Sequence, residues 1–255
     1  TVSVKVSSIC AQLDVVAFED GLERICHELE RLYRRAAEAS PPKLVMLDME
    51  AYRDLELTHR AFITMLDREE FRDLSAGIVL QAYLPDSHAV QEEVIAWAKA
   101  RRQKGGAPIA MRLVKGANLA VERIESNHAG LVLPIFATKT EVDASYKLMV
   151  ERGLQRDTLD AVRLGIASHN LFDVAYALAL MSARGLETGV HFEVLSGMAG
   201  PLMRTLRALG REVLIYAPAV QAPHLHAAIA YLVRRLDENT ADENFLRNSF
   251  SMTLG

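Results

Sequence analysis

The chain has 255 residues, with 29 Lys and Arg against 33 Asp and Glu, a net charge of -4, half its residues hydrophobic and 24% charged. That composition excludes intrinsic disorder, argues against a nucleic-acid partner, and leaves room for either two small domains or one large α/β unit. The longest apolar run, Val174 to Met181, is far short of the roughly 18 residues that span a bilayer, so no transmembrane helix is expected. Cys10 and Cys26 form neither a zinc quartet nor a disulfide framework, which suits a reducing, cytoplasmic compartment. The opening Thr1-Val2-Ser3-Val4-Lys5 has no initiator Met, basic n-region or apolar h-region; it reads as a truncated or processed start rather than a signal peptide.

In chain order, Val2 to Ser8 predicts a first strand. The spacing of Phe18, Leu22, Ile25, Leu29 and Leu32 by three and four then predicts a helix with one apolar stripe. Strand candidates follow at Lys43 to Met49, Gly77 to Leu84, Pro108 to Gly116, Leu133 to Lys139, Val162 to Ser168, His191 to Gly197 and Glu212 to Val220. Helical patterns lie between them at 53–69, 86–102, 143–153, 170–185 and 200–209, with a last one at 224–238. The link Asn118 to Gly130 is short and polar and carries no clear stripe. Strands alternating with helices predict an α/β fold: a parallel, eight-stranded (β/α)8 barrel of the TIM type, one domain over residues 1–255, with the C-terminal helix contributing to the site. A doubly wound sheet is the other topology, but no strand leads into a G-x-G-x-x-G turn.

In such a barrel the chemistry sits at the carboxyl ends of the strands. Each candidate strand has a polar residue there: Lys5, Asp48, Gln81, Arg112 followed by Lys115, Thr138-Lys139, Ser168-His169-Asn170, Glu193 and Tyr216. The last helix places Tyr231, Arg234, Arg235 and Glu238 on one face. Each of these alone is as readily a structural ion pair or a solvated face; together they mark a site. Lys5, Arg112, Lys139, Arg234 and Arg235 against Asp48, Glu193 and Glu238 leave an excess of two positive charges, which favours an anion, and paired arginines suit a carboxylate or phosphate. A buried Lys5 requires a partner, and Asp48 on the next strand is the expected one. No G-x-S-x-G, Walker or H-E-x-x-H motif occurs, and the histidines lack ligand spacing, so no metal is expected. A site rich in donors and poor in nucleophiles points to a bound cofactor.

Leu80-Gln81-Ala82-Tyr83-Leu84, Arg112-Leu113-Val114-Lys115-Gly116-Ala117, Ala167-Ser168-His169-Asn170, Tyr216-Ala217-Pro218 and the run Tyr231 to Asn239 resemble proline dehydrogenase, in particular the catalytic domain of bacterial proline utilization A. The resemblance implies FAD, oxidation of L-proline to Δ1-pyrroline-5-carboxylate by hydride transfer, and a quinone electron acceptor, with at most peripheral contact with the inner membrane. It implies that Lys5, Arg234 and Arg235 bind the substrate carboxylate, that Asp48 and Glu238 hold those cations, and that Tyr216, Tyr231 and Leu195 line the proline ring. Tyr216 would also disfavour hydroxyproline. For FAD it points to Gln81, Arg112, Val114, Lys115, Gly116, Lys139, His169, Asn170 and Glu193, with Arg112 beside the reactive flavin nitrogen. Asn118 and Glu193 depart from relatives that carry Tyr and Gln at those places. Two other readings of the same residues are a Schiff-base lyase using Lys115 or Lys139 and a non-catalytic barrel.

Overall fold

The computed structural model describes residues 1–13, 15–49, 51–116, 119–226, 228, 229 and 233. Along the chain lie β1 (Val2–Lys5), α1 (Val6–Ile9), α2 (Phe18–Glu38), β2 (Val45–Asp48), α3 (Leu55–Leu66), β3 (Gly77–Gln81), α4 (Ser87–Gln103), β4 (Ile109–Val114) and α5 (Leu119–Ala129). They are followed by α6 (Lys139–Gly153), α7 (Arg156–Leu159), β5 (Val162–Ala167), α8 (Leu171–Arg184), β6 (Val190–Leu195), α9 (Gly200–Ala208) and β7 (Val213–Tyr216). The strands form one parallel sheet in sequential order β1 to β7.

Local chemistry explains these elements. α2 buries Gly21, Ile25, Leu29, Tyr33 and Ala36 along one stripe and carries Glu19 and Asp20 in its first turn, where acidic groups favour the helix dipole. α6 starts in a capping box between Thr138 and Glu141. α8 starts where the Asn170 side chain accepts the Phe172 N–H, and ends at Gly185 with φ +61°, the left-handed conformation glycine adopts without strain. β3 is buried throughout, as expected of a parallel strand covered on both faces.

Among the described residues, seven strands stand where eight were expected. Residues 133–139 form no strand. Pro134 lacks the N–H a ladder needs, and Lys139 is the first residue of α6. No gap is left for that strand either, since β4 pairs directly with β5 from Ile109↔Val162 to Leu113↔Ile166. The link Asn118 to Gly130, too short and polar to assign from the sequence, holds α5. The first strand stops at Lys5, and Val6 turns into α1. Among the described residues β1 pairs only with β2 and β7 only with β6, so the sheet is an open curl rather than a closed barrel. The helix expected at 224–238 lies largely outside the described residues.

The outer face of the sheet and the helices share one large core, with Tyr33, Phe62, Phe71, Tyr146 and Phe192 among its fully buried side chains. Each such side chain contributes about 2 kcal/mol by leaving water. The inner face has its own small apolar cluster, Met46, Val79 and Ala110, with Leu44 and Val114 packed against it. Arg101 of α4 ties the connections leading into β3 and β4: its guanidinium donates to the carbonyls of Phe71 (2.7 Å), Arg72 (2.8 Å), Leu74 and Ala107, and to that of Leu66. Removing it strands several buried acceptors, so Arg101→Met is expected to lower unfolding stability by about 3 kcal/mol, read as a reduced urea midpoint.

Candidate active site

Side chains alternate along a strand, so Ser3 and Lys5 of β1, Asp48 of β2, Gln81 of β3, Arg112 and Val114 of β4, Glu193 and Leu195 of β6 and Tyr216 of β7 share the inner face, with His191 on the same face nearer the amino-terminal end of β6. Arg112 gathers them. Its Nε donates to Glu193 (2.5 Å), one Nη to Asp48 (2.7 Å) and the other to Ser3 (3.1 Å), while the guanidinium carbon stands 4.0 Å from the centroid of the Tyr216 ring. The Arg112 side chain is 8% exposed and that of Glu193 2%. Desolvation alone would lower the Arg112 pKa, but Glu193 and Asp48 outweigh it and the guanidinium stays charged. Burial raises the Asp48 carboxyl, opposed by Arg112 and by Lys5, its cross-strand neighbour. Lys5 and Asp48 are thus adjacent as expected, and Asp48 accepts a hydrogen bond from Arg112. Burial pushes the Tyr216 hydroxyl up to about 12, and Glu193 adds to the rise.

A second group of charges lies where β4, β5 and α6 meet. Lys115 pairs with Asp143 and with Asp173 (2.7 Å), and Lys139 with Asp143 (2.6 Å). Ser168 Oγ donates to Asp173 at 2.8 Å and accepts the Asn170 N–H at 3.1 Å. Gly116 has φ +127°, and a Cβ there would run into the Tyr83 ring; only glycine allows this close turn at the end of β4. His169 Nε2 accepts the Leu195 N–H at 3.1 Å, which fixes a neutral tautomer with the proton on Nδ1. Gln81 donates to the Met49 carbonyl, leaving its buried side-chain oxygen without a partner.

The structure brings Lys5, Asp48, Arg112, Glu193 and Tyr216 together in one cluster, and Lys115, Gly116, Lys139, His169 and Asn170 near it. Asn170, expected to face a cofactor, uses its side-chain oxygen as the cap of α8. Tyr231, Arg234, Arg235 and Glu238 lie outside the described residues. Sequence reasoning missed Asp143 and Asp173, although the i, i+4 spacing of Lys139 and Asp143 on a helix was a usable signal. It also missed Glu122 of α5, a buried carboxylate that accepts the Tyr52 N–H (2.7 Å) and the Tyr83 hydroxyl (3.3 Å), with its pKa raised by burial. The count of charges changes accordingly. Among the described residues, Lys5, Arg112, Lys115 and Lys139 are matched by Asp48, Glu193, Asp143 and Asp173, so the expected positive excess is not present within this part of the site.

Burial lowers the His169 pKa below the ordinary imidazole value. A depressed folded-state pKa adds stability above the unfolded value, near 6.5, and that stability is lost as pH falls through the folded value. The stability difference between the wild type and His169→Gln is therefore expected to shrink between about pH 7 and pH 5. Urea midpoints at the two pH values check this, and a constant or widening difference would contradict it.

A sequence profile of the proline dehydrogenase family matches residues 1–248. The bifunctional protein PutA of Rhizobium meliloti is 33% identical over 175 residues, which is 67% of this chain and 13% of that protein. The human mitochondrial proline dehydrogenase 1 is 30% identical over 165 residues, 63% of this chain and 26% of its own length. Among solved structures, proline utilization A from Corynebacterium freiburgense superposes with a TM-score of 0.89 at 44% identity, covering 98% of this chain and 26% of that one. The Bdellovibrio bacteriovorus enzyme, inactivated by N-propargylglycine, superposes with the same TM-score at 32% identity, covering 98% of this chain and 25% of its own. The chain thus spans 13% to 26% of the length of these relatives. With the profile match running over nearly every residue, this chain belongs to the proline dehydrogenase family.

Proposed function

We propose that this chain oxidises L-proline to Δ1-pyrroline-5-carboxylate, with FAD as the bound oxidant and a quinone as the final electron acceptor, as a cytoplasmic protein touching the inner membrane at most peripherally. The observation that carries the reading is the buried Arg112, held between Asp48 and Glu193 beneath Tyr216 at the strand ends of a chain of this family.

The residues present fit a flavin. Gln81 offers a buried side-chain oxygen without a partner, suited to an N–H donor, and Gly116 lets the chain turn sharply against the Tyr83 ring at the end of β4. Arg112 would stand by the part of the ring that gains negative charge, with Lys115 and Lys139 by the diphosphate. Val114, His169, Asn170 and Glu193 complete the expected set. When bound, FAD supplies the hydride acceptor.

The remaining chemistry belongs to the chain. Lys5 would bind the proline carboxylate, joined by Arg234 and Arg235, while Tyr216, Tyr231 and Leu195 bound the ring and fix the carbon that loses hydride. Asp48 would steady Lys5, and Glu238 the arginines. Arg112 occupies one oxygen each of Asp48 and Glu193, so neither carboxylate is a ready base, and the amine proton would leave to water. A lyase mechanism needs a neutral lysine, whereas Lys115 and Lys139 are both ion-paired.

The test is the visible absorbance spectrum of the purified protein supplied with FAD, repeated after L-proline is added without oxygen. Flavin bands that bleach with L-proline are the expected result. A protein that binds no flavin, or whose flavin stays oxidised with L-proline, overturns the reading. N-propargylglycine is expected to inactivate this chain as it does the Bdellovibrio relative. Tyr216→Ser is expected to shift the ratio of kcat/KM values toward hydroxyproline by about tenfold, since it opens space beside the ring.

A further inference from the structure

His191 and Glu193 are two apart on β6 and share its inner face, with His191 one layer nearer the amino-terminal end of the sheet. His191 Nε2 lies 2.8 Å from one oxygen of Glu193, whose other oxygen accepts the 2.5 Å hydrogen bond from Arg112. The row continues through Arg112 to Asp48, with Lys5 as that residue's cross-strand neighbour. Facing His191 across the β5–β6 register is Gly165. A Cβ at Gly165 would collide with Glu193 Oε1 and lie 2.9 Å from His191 Nε2. The bare backbone there makes room for this pair.

The other side of His191 lines an open cavity of about 520 Å³ at the amino-terminal ends of the strands. Charged groups reach that cavity from each neighbouring element. Arg163 of β5 and Glu212, just before β7, form a pair at 3.5 Å, while Lys43, Glu70, Asp73 and the amino group of Thr1 come from the segments leading into β1, β2 and β3. His191, only 6% exposed, thus lies between this cavity and the Arg112 cluster. With the ring neutral, Nε2–H donates to Glu193, and the two cations Arg112 and Lys5 offset the two carboxylates Asp48 and Glu193. A proton taken from cavity water onto Nδ1 leaves that hydrogen bond in place and adds one positive charge.

We propose that His191 is a positioning residue that reports the pH of the amino-terminal cavity to the active site: its protonation draws Glu193 toward the imidazolium, loosens the hold of Glu193 on Arg112, and strengthens the attraction for an anionic substrate at the strand ends. In this role the ring acts through Glu193, with which it shares the hydrogen bond. The substrate part of this inference rests on the proline-oxidising reading, whereas the coupling between His191 and Arg112 does not.

Two measurements separate the two. In the first, the ring signals of His191 and the Arg112 Nε–H signal are followed by NMR in the FAD-loaded protein from about pH 5 to pH 8. Both are expected to inflect at one shared pH. In His191→Gln, which keeps a donor toward Glu193 but takes up no proton, the Arg112 inflection is expected to vanish. An Arg112 signal that ignores the His191 titration, or keeps its inflection in the variant, overturns the proposal. The wild-type comparison alone decides this if the variant does not fold.

In the second, KM and kcat for L-proline are measured against pH. KM is expected to fall about fivefold as His191 is protonated, with kcat unchanged, and this component is expected to be absent in His191→Gln. A wild-type KM that holds constant while the NMR coupling is present overturns the substrate part. An absence of turnover with the NMR coupling intact refutes the proline-oxidising reading and leaves the coupling standing.

Discussion

A guanidinium placed on the inner face of a parallel sheet has to be met there by anions, and Arg112 imposes that requirement on the whole inner surface. One carboxylate comes from β2, another from β6, and a hydroxyl from β1. None of these strands is the hydrogen-bonded neighbour of β4, so the contacts exist only because the sheet curls. The ring of Tyr216 on the last strand comes to the same cation. Breaking one partner of such a buried group leaves an uncompensated charge worth about 3–5 kcal/mol, whereas curling the sheet around it gives each guanidinium nitrogen a partner. The curvature of the sheet and the partners of this one side chain therefore go together.

The layer beneath is built the opposite way. Met46, Val79 and Ala110 fill the inner face with apolar groups, and the glycines of β3 and β5 decide how closely that filling packs. At Gly77 an added Cβ would fall 2.7 Å from Met46 Cε, and at Gly165 it would strike the Glu193 carboxylate. The first glycine admits a large apolar side chain, and the second admits an ionised one. The inner face thus passes from dry packing to a hydrogen-bonded charge row within one or two residues along each strand. That short distance allows a group at the amino-terminal end, such as His191, to lie within one hydrogen bond of the cluster.

Much of this was legible in the sequence, and its failures have physical causes. Period-two alternation in Val2-Ser3-Val4-Lys5 and unbroken apolar runs such as Val79-Leu80 identified strands because a parallel sheet leaves no other arrangement for them. The 133–139 run was misleading: its apolar residues resemble a strand, but Pro134 denies the ladder a donor and Thr138 begins a helix. Strand ends were overestimated at Val6 because local propensity does not record where pairing stops. The residues of the Arg112 cluster could be read from strand-end position alone, since a barrel-like sheet directs every such position to one place. Asp143 and Asp173 could not be, because they sit on helices, and only the fold shows that those helices begin beside Lys115.

Those two aspartates change what the lysines can do. A sequence count sees Lys115 and Lys139 as cations awaiting an anion, yet each already has a carboxylate, and Lys115 has two. Asp143 is bound by both lysines, which hold its carboxyl below the usual range against the opposing effect of burial. Asp173 is further fixed by Ser168, whose hydroxyl also accepts the N–H of the residue that caps α8. A diphosphate arriving here would not meet bare positive charge. It would have to draw Lys139, the more exposed lysine, away from an i, i+4 pair on the surface of α6, an exchange that costs little because such pairs are worth only about 0.5 kcal/mol. Lys115, bound by the buried Asp173, would stay in place and present its remaining donor. Of the two lysines, Lys115 is thus the one held by a buried carboxylate and Lys139 the more exposed one.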